Sequence, residues 1–145
     1  MLKIFSIEGT EKNPEFTVIY DENKDTTLCL MKGKMSKQTS CEEIKNWLDK
    51  YSENPKGKTI FMIFLDNVIG TIRVNMIYIL GIVNTIKNVK IIWVYEETAD
   101  DEDTLEYIDY ISKGAGVNVI IKKLSIIRKV EELTDEKMQQ FIDEV

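Results

Sequence analysis

Apolar residues in this chain follow two rhythms, and the change between them divides the sequence. In the first third they come in short runs. "LKIFSIE" alternates imperfectly, "EFTVIYD" follows "TEKNP", and "TTLCLMKG" follows the turn-rich "DENKD". These runs predict strands over 2–7, 15–21 and 26–32, the last two joined as a hairpin with a loop of about five residues. From Ser40 the period lengthens. Ile44, Trp47, Leu48 and Tyr51 recur at i, i+3, i+4, i+7 and make one apolar helix face, which "ENPKGK" ends. Ser40 and Glu43 have the spacing of a capping box, so Ser40 is the expected N-cap.

After that helix, near-continuous apolar runs alternate with helical ones. "TIFMIFL", "VKIIWVY" and "VNVIIKKL" read as strands and residues 72–86 as a helix. "DDEDTLEYIDYIS" reads as a helix stopping at "KGAG", and a final helix begins near Thr134, over 134–144. The order is βββ-α-β-α-β-α-β-α. Strands this apolar, separated by helices, imply an α/β fold with a partly parallel, buried sheet. No internal repeat or low-complexity linker interrupts the 145 residues, a length that suits one domain over 1–145.

Composition narrows the function. A hydrophobic fraction of 43% and a charged fraction of 30% are those of an ordinary globular protein, and the net charge of -6 argues against a nucleic-acid partner. Two cysteines, Cys29 and Cys41, are too few for a disulfide framework. Without histidine the usual Cys/His zinc site cannot form. Both read as reduced thiols. "MLKIFSIEGTEK" lacks the long apolar segment of a signal peptide. The longest uncharged run, Val74 to Ile86, falls short of the roughly 18 residues of a membrane span. The expected location is cytoplasmic, with no membrane partner.

Three stretches carry candidate chemistry. Gly57-Lys58-Thr59 has the tail of a phosphate-binding loop, but its first glycine would fall on Ser52 and the motif precedes a strand instead of opening a helix. Nucleotide hydrolysis is rejected. "YEETADDEDTLEYID" holds eight carboxylates from Glu96 to Asp109. They admit three readings: a divalent-metal site, an acidic docking surface, or a solvated helix start favoured by the helix dipole. The spacing does not match a calcium loop. Without histidine no ordinary nucleophile pair is available, so no catalytic residue and no cofactor is expected.

The third stretch is "DNVIGTIRVNMIYILGIVNTIKN", Asp66 to Asn88. Gly70 allows close approach of a partner, and Thr71 falls at the first turn or cap of the next helix. Two compatible readings stand: Thr71 simply caps the helix, or it is a phosphorylation switch, since phosphate adds roughly 1.5 to 2 negative charges beside free helix amides. Apolar residues cover more than one face of the helix that follows. The excess face is buried by a neighbouring helix or by another chain.

Several of these pieces resemble the SiaC-type regulatory phosphoproteins, which have a STAS-like (SpoIIAA-like) fold related to anti-sigma-factor antagonists. "IEGTEKNPEF" is similar to the family's opening, with Asn13-Pro14 where the family has Thr-Pro. "LCLMKGKMS" resembles its strand ending in a Gly-x-Ser turn, and "IKNWLDKY" its first helix. "IIWVYEETADDEDTLEYIDYI" resembles its Trp-x-Tyr strand running into an acidic helix. The likeness implies a four- or five-stranded mixed sheet with helices mainly on one side. It also implies a non-enzymatic switch, phosphorylated by a serine/threonine kinase and restored by a PP2C-like phosphatase. Its unphosphorylated form would bind a target, in part of the family a diguanylate cyclase.

The phospho-acceptor region departs from the family, which carries Asn-Thr-Ser-Ser between strand and helix. Aligned back from "MIYIL", the family's threonine falls on Gly70, the next serine on Thr71 and the last on Ile72; aligned forward from "MIFL", it falls on Asn67. Thr71 is the candidate substitute acceptor. The alternative is a constitutive binding module or homodimeric scaffold that has lost the switch. The expected partner-binding residues are Asp66, Asn67, Gly70, Ile72, Arg73, Asn75, Asp101 and Asp103.

Overall fold

A computed structural model of the chain describes residues 2–35, 41–66, 73–124 and 134–144. The elements run β1 (Leu2–Ile7), β2 (Glu15–Asp21), β3 (Thr26–Gly33), α1 (Glu42–Glu53), β4 (Lys58–Leu65), α2 (Arg73–Asn84), β5 (Val89–Glu96), α3 (Asp101–Ala115), β6 (Ile120–Leu124) and α4 (Asp135–Asp143). This is the order read from the hydrophobic pattern, and the first three strands lie within one residue of their expected bounds.

The strands form one mixed sheet in the sequential order β1-β2-β3-β4-β5-β6. β1–β2 and β2–β3 are antiparallel, while β3–β4, β4–β5 and β5–β6 are parallel. The family resemblance implied four or five strands; the sheet has six. Both flanks are used, since the N-terminal run pairs outside β2 and the "IIKKL" run pairs with β5.

Each parallel crossover steps one strand in the same direction. Right-handed connections that always step the same way leave their helices on one face of the sheet. Accordingly α1, α2 and α3 share one core with Phe16, Cys29, Met31, Phe61, Ile63 and Trp93. Among the described residues the opposite face is covered by α4. Met138, Phe141 and Ile142 of α4 pack there on Ile60, Met62, Ile92 and Val94. β4 therefore feeds two cores, Phe61, Ile63 and Leu65 into one and Ile60, Met62 and Phe64 into the other. Hence its sequence is apolar without alternation.

Helix ends follow local chemistry, with one correction. α4 starts as expected, the Thr134 hydroxyl accepting from the Lys137 amide at 3.2 Å. α3 ends at Gly116, whose φ of 69 is a left-handed conformation that glycine adopts without strain. α1 does not start as expected. Its N-cap is Cys41, with φ 54 and no side-chain cap, and Ser40 lies outside the described residues. With Cys41 as N-cap, the third helical position is Ile44, which the core buries, so Glu43 stands one place too early to close a capping box. The apolar face of α1 is as expected: Trp47 stacks on Phe5 and Tyr51 with ring centroids 5.4 and 4.7 Å apart.

Candidate partner-binding surface

The pairing register puts Ile7, Glu15, Gly33, Leu65, Glu96 and Leu124 at one end of the sheet. This is the carboxyl edge of the parallel strands, where open α/β sheets commonly bind their ligands. β4 and β5 end at this edge, and α2 and α3 are the next elements after them. Asp66 is exposed at the end of β4, its amide bonded to the Gly33 carbonyl at 2.8 Å. With Gly9, Thr10, Glu15, Lys32 and Gly33 it lines an open depression of ≈ 550 Å³.

Arg73 is exposed at the first position of α2, with its guanidinium 5.5 Å from the centre of the Tyr110 ring on α3. Asp101 is half-buried at the start of α3 and accepts from the Thr98 amide at 2.8 Å, while Asp103 is exposed in the same turn. Asp66 thus ends β4, and Asp101 and Asp103 open α3, whereas Arg73 reaches Tyr110, well along α3. Asn75 is different. It is only 7% exposed, faces α1, and accepts a 2.9 Å hydrogen bond from Lys45 Nζ, so it holds the two helices together and presents nothing to a partner. Asn67, Gly70, Thr71 and Ile72 lie outside the described residues.

α2 lies between α1 and α3 on the sheet. Met76, Ile79, Leu80 and Val83 enter the core, and Ile77 packs against Gly114 of α3, where a Cβ would stand only 2.9 Å from Ile77 Cδ1. Most of the excess apolar surface noted in the sequence is therefore covered by neighbouring helices. The helix ends at Asn84, two residues before the expected Ile86, in a tightened turn where the Thr85 and Ile86 amides bond to Ile82 and Val83. What neither neighbour covers is Val74 at 76% exposure and Tyr78 at 52%. They stand four residues apart and form one ridge. Tyr110 on α3 is 57% exposed, and Lys45 of α1 sits 4.9 Å from the centre of the Tyr78 ring. The sequence points to the start and exposed face of this helix as a contact surface, but does not single out Tyr78. The available signal was that Val74 and Tyr78 lie opposite Met76, Ile79 and Leu80 on a helical wheel.

The remaining chemistry is sparse. Burial pushes the Cys41 thiol up to about 11, and burial likewise raises Cys29 well above its usual range, so neither is a thiolate near neutral pH. Among the described residues no group of three or more acidic or cysteine side chains is placed to hold a metal ion. Gly57 is explained by packing: its φ is 66, and a Cβ there would collide with the Asp25 carbonyl, which the Lys58 amide meets at 3.0 Å. Gly57-Lys58-Thr59 thus ties the start of β4 to the β2–β3 turn. No described helix is long and apolar enough to cross a membrane.

No family model and no curated protein sequence matches the chain. Two solved structures do. One is a chain in the crystal structure of the complex between the diguanylate cyclase SiaD and its activator SiaC from Pseudomonas aeruginosa, with a TM-score of 0.58 at 16% identity, over 83% of this chain and 99% of that one. The other is apo-SiaC from the same organism, with a TM-score of 0.53 at 13% identity, over 84% of this chain and 99% of that one. The fold is that of SiaC. The match to almost the whole of SiaC shows that the mixed sheet and its helices are shared, as the sequence motifs had implied.

Proposed function

We propose that the chain, 1–145, works as one non-enzymatic regulator that binds a diguanylate cyclase through the α2 ridge and the carboxyl edge beside it. The observation that carries this reading is the exposed Val74–Tyr78 ridge at the front of a SiaC-like fold, SiaC itself being the activator of a diguanylate cyclase. Tyrosine and arginine are the residues that most often dominate binding energy at interfaces; Tyr78 is exposed on α2, and Arg73 of the same helix stands against the exposed Tyr110. Regulation is assigned to Thr71, phosphorylated by a serine/threonine kinase and restored by a PP2C-like phosphatase. Gly70 gives access to it, Asp66 and Asn67 belong to its loop, and Ile72, Arg73, Asp101 and Asp103 border the contact. The protein acts in the cytoplasm.

Two experiments test this. Diguanylate cyclases of the native host, purified singly, are assayed for cyclic di-GMP synthesis with and without the chain. One of them is expected to respond, and the response is expected to be lost with Tyr78→Ala. If none responds at micromolar chain, the reading falls. Phosphopeptide mapping of residues 66–75 from native cells tests the switch. Phosphate on Thr71 supports it; its absence under all growth conditions, with full peptide coverage, leaves a constitutive binder.

A further inference from the structure

We propose that the segment which docks on the α2 ridge is acidic: a helix whose apolar stripe carries glutamate or aspartate on both sides. This deepens the partner-binding reading and rests on it. α2 carries no charge from Val74 to Asn84. Its outer face runs from the exposed Val74 through Tyr78 to Gly81, where a Cβ would meet nothing within 4 Å. The strip is two turns long, about 11 Å.

The charges that the fold places at this strip are cationic, one on each side. On the α1 side, the Lys45 ammonium lies 4.9 Å from the centre of the Tyr78 ring and donates to Asn75 Oδ1 at 2.9 Å. On the α3 side, where Ile77 packs on Gly114, the Arg73 guanidinium lies 5.5 Å from the centre of the exposed Tyr110 ring. Glu42 and Asp49 share α1 with Lys45 at the spacings where helical ion pairs form, yet Lys45 reaches across to α2 instead. Among the described residues neither Lys45 nor Arg73 has an ion-pair partner. A ring face and a neutral amide position these two cations without cancelling their charge. An ammonium has three donors and a guanidinium five, so both keep donors for a carboxylate.

An apolar strip with a cation on either side selects its complement. The apolar stripe seats on Val74 and Tyr78, and flanking carboxylates meet Lys45 and Arg73. Both cations are held before a partner arrives, so less side-chain freedom is lost on pairing. A helix suits this surface better than a strand, because strand addition needs a row of free backbone groups at a sheet edge and a helical face offers none. A second copy of the chain is disfavoured, since a two-fold contact would set this cation-bordered strip against itself. Nucleic acid and anionic lipid surfaces extend past the strip and meet the chain's net charge of -6. A short helix touches the strip alone, and salt screens more distant charges within about 10 Å.

The test titrates the full chain with three fluorescein-labelled helical peptides that share a leucine stripe, flanked by glutamates, by glutamines or by lysines. The glutamate peptide is expected to bind at least about fivefold more tightly than the glutamine one, and to weaken about tenfold with Tyr78→Ala. Lys45→Gln and Arg73→Gln are each expected to weaken it about threefold, while the glutamine peptide notices neither. Tyr78 and Arg73 are exposed, and circular dichroism checks that each variant is folded. The proposal is overturned by equal affinity for the glutamate and glutamine peptides, by no binding of either, or by binding untouched by Tyr78→Ala. A lysine peptide that binds most tightly and loses that affinity with Tyr78→Ala overturns it too, as does a dimer of the chain that Tyr78→Ala abolishes. The two readings separate cleanly. A cyclase whose response survives both Lys45→Gln and Arg73→Gln retains the proposed function and sinks the acidic helix. A glutamate peptide that binds at Tyr78 while no cyclase responds does the reverse.

Discussion

Asp25 and Gly57 show how much one contact can decide. Asp25 takes a positive φ of 45 at the end of the β2–β3 turn, and its carbonyl needs the space that a side chain at residue 57 would fill. Gly57→Ala is expected to cost about 1–3 kcal/mol, from a φ that alanine resists and from the displaced turn, as measured by urea unfolding. The Asp25 carboxylate also accepts from the Tyr20 hydroxyl, and Lys56 lies 4.1 Å from the centre of the Tyr20 ring. That hydrogen bond is the main reason the Tyr20 phenol is pushed up to about 12, with burial and the Asp25 charge adding to it. Because the folded value is raised, the neutral phenol's contribution is fully present below the unfolded value of about 10 and is lost as pH rises through about 12. Asp25→Asn should bring the Tyr20 titration back towards 10, read by ultraviolet absorbance. A titration still near 12 in that variant would assign the shift to burial.

At the scale of elements, α2 and α4 behave in opposite ways. α2 is held on three sides, so its buried and exposed positions should separate sharply. Ile79→Ala is expected to cost about 2–5 kcal/mol, whereas Tyr78→Ala should lie within about 0.5–1 kcal/mol of the parent. Equal losses at both positions would mean that Tyr78 is packed and the ridge does not exist. α4 has nine residues and is too short to be stable alone, so it folds only against the sheet. Its anchors are the buried Phe141 and the Lys122–Glu144 ion pair at 2.7 Å. The ion pair is exposed enough for solvent to screen it, so it adds little. Phe141→Ala should therefore release α4, seen as faster hydrogen exchange of its amides, while Lys122→Ala should not.

For the whole molecule, the sequential strand order is the controlling fact. It sends three helices to one face and, among the described residues, leaves the other to α4. Deleting residues 134–145 would bare Ile60, Met62, Ile92 and Val94, and the truncated chain is expected to self-associate with rising concentration in light scattering. A truncated chain that stays monomeric would show that the lower face needs no cover. The net charge of -6 also predicts that moderate salt raises the melting temperature by screening self-repulsion.

The sequence by itself determined the elements and their order, because hydrophobic period is a local property that a strand or helix must obey wherever it ends up. It also marked β4 as buried on both faces, through the unbroken run from Ile60 to Leu65, and it carried the motifs of the SiaC-like fold. It left open which residues meet. Ser40 and Glu43 have capping spacing, yet the helix starts one residue later, where core burial of Ile44 fixes its phase. Asn75 reads as a surface amide, yet α1 lies over it and Lys45 binds it. Val74 and Tyr78 read as two more apolar residues in an apolar helix, and they are exposed because they lie opposite the Met76, Ile79 and Leu80 side that the core takes. Burial on a helix depends on what packs beside it, and that is decided by the path of the whole chain.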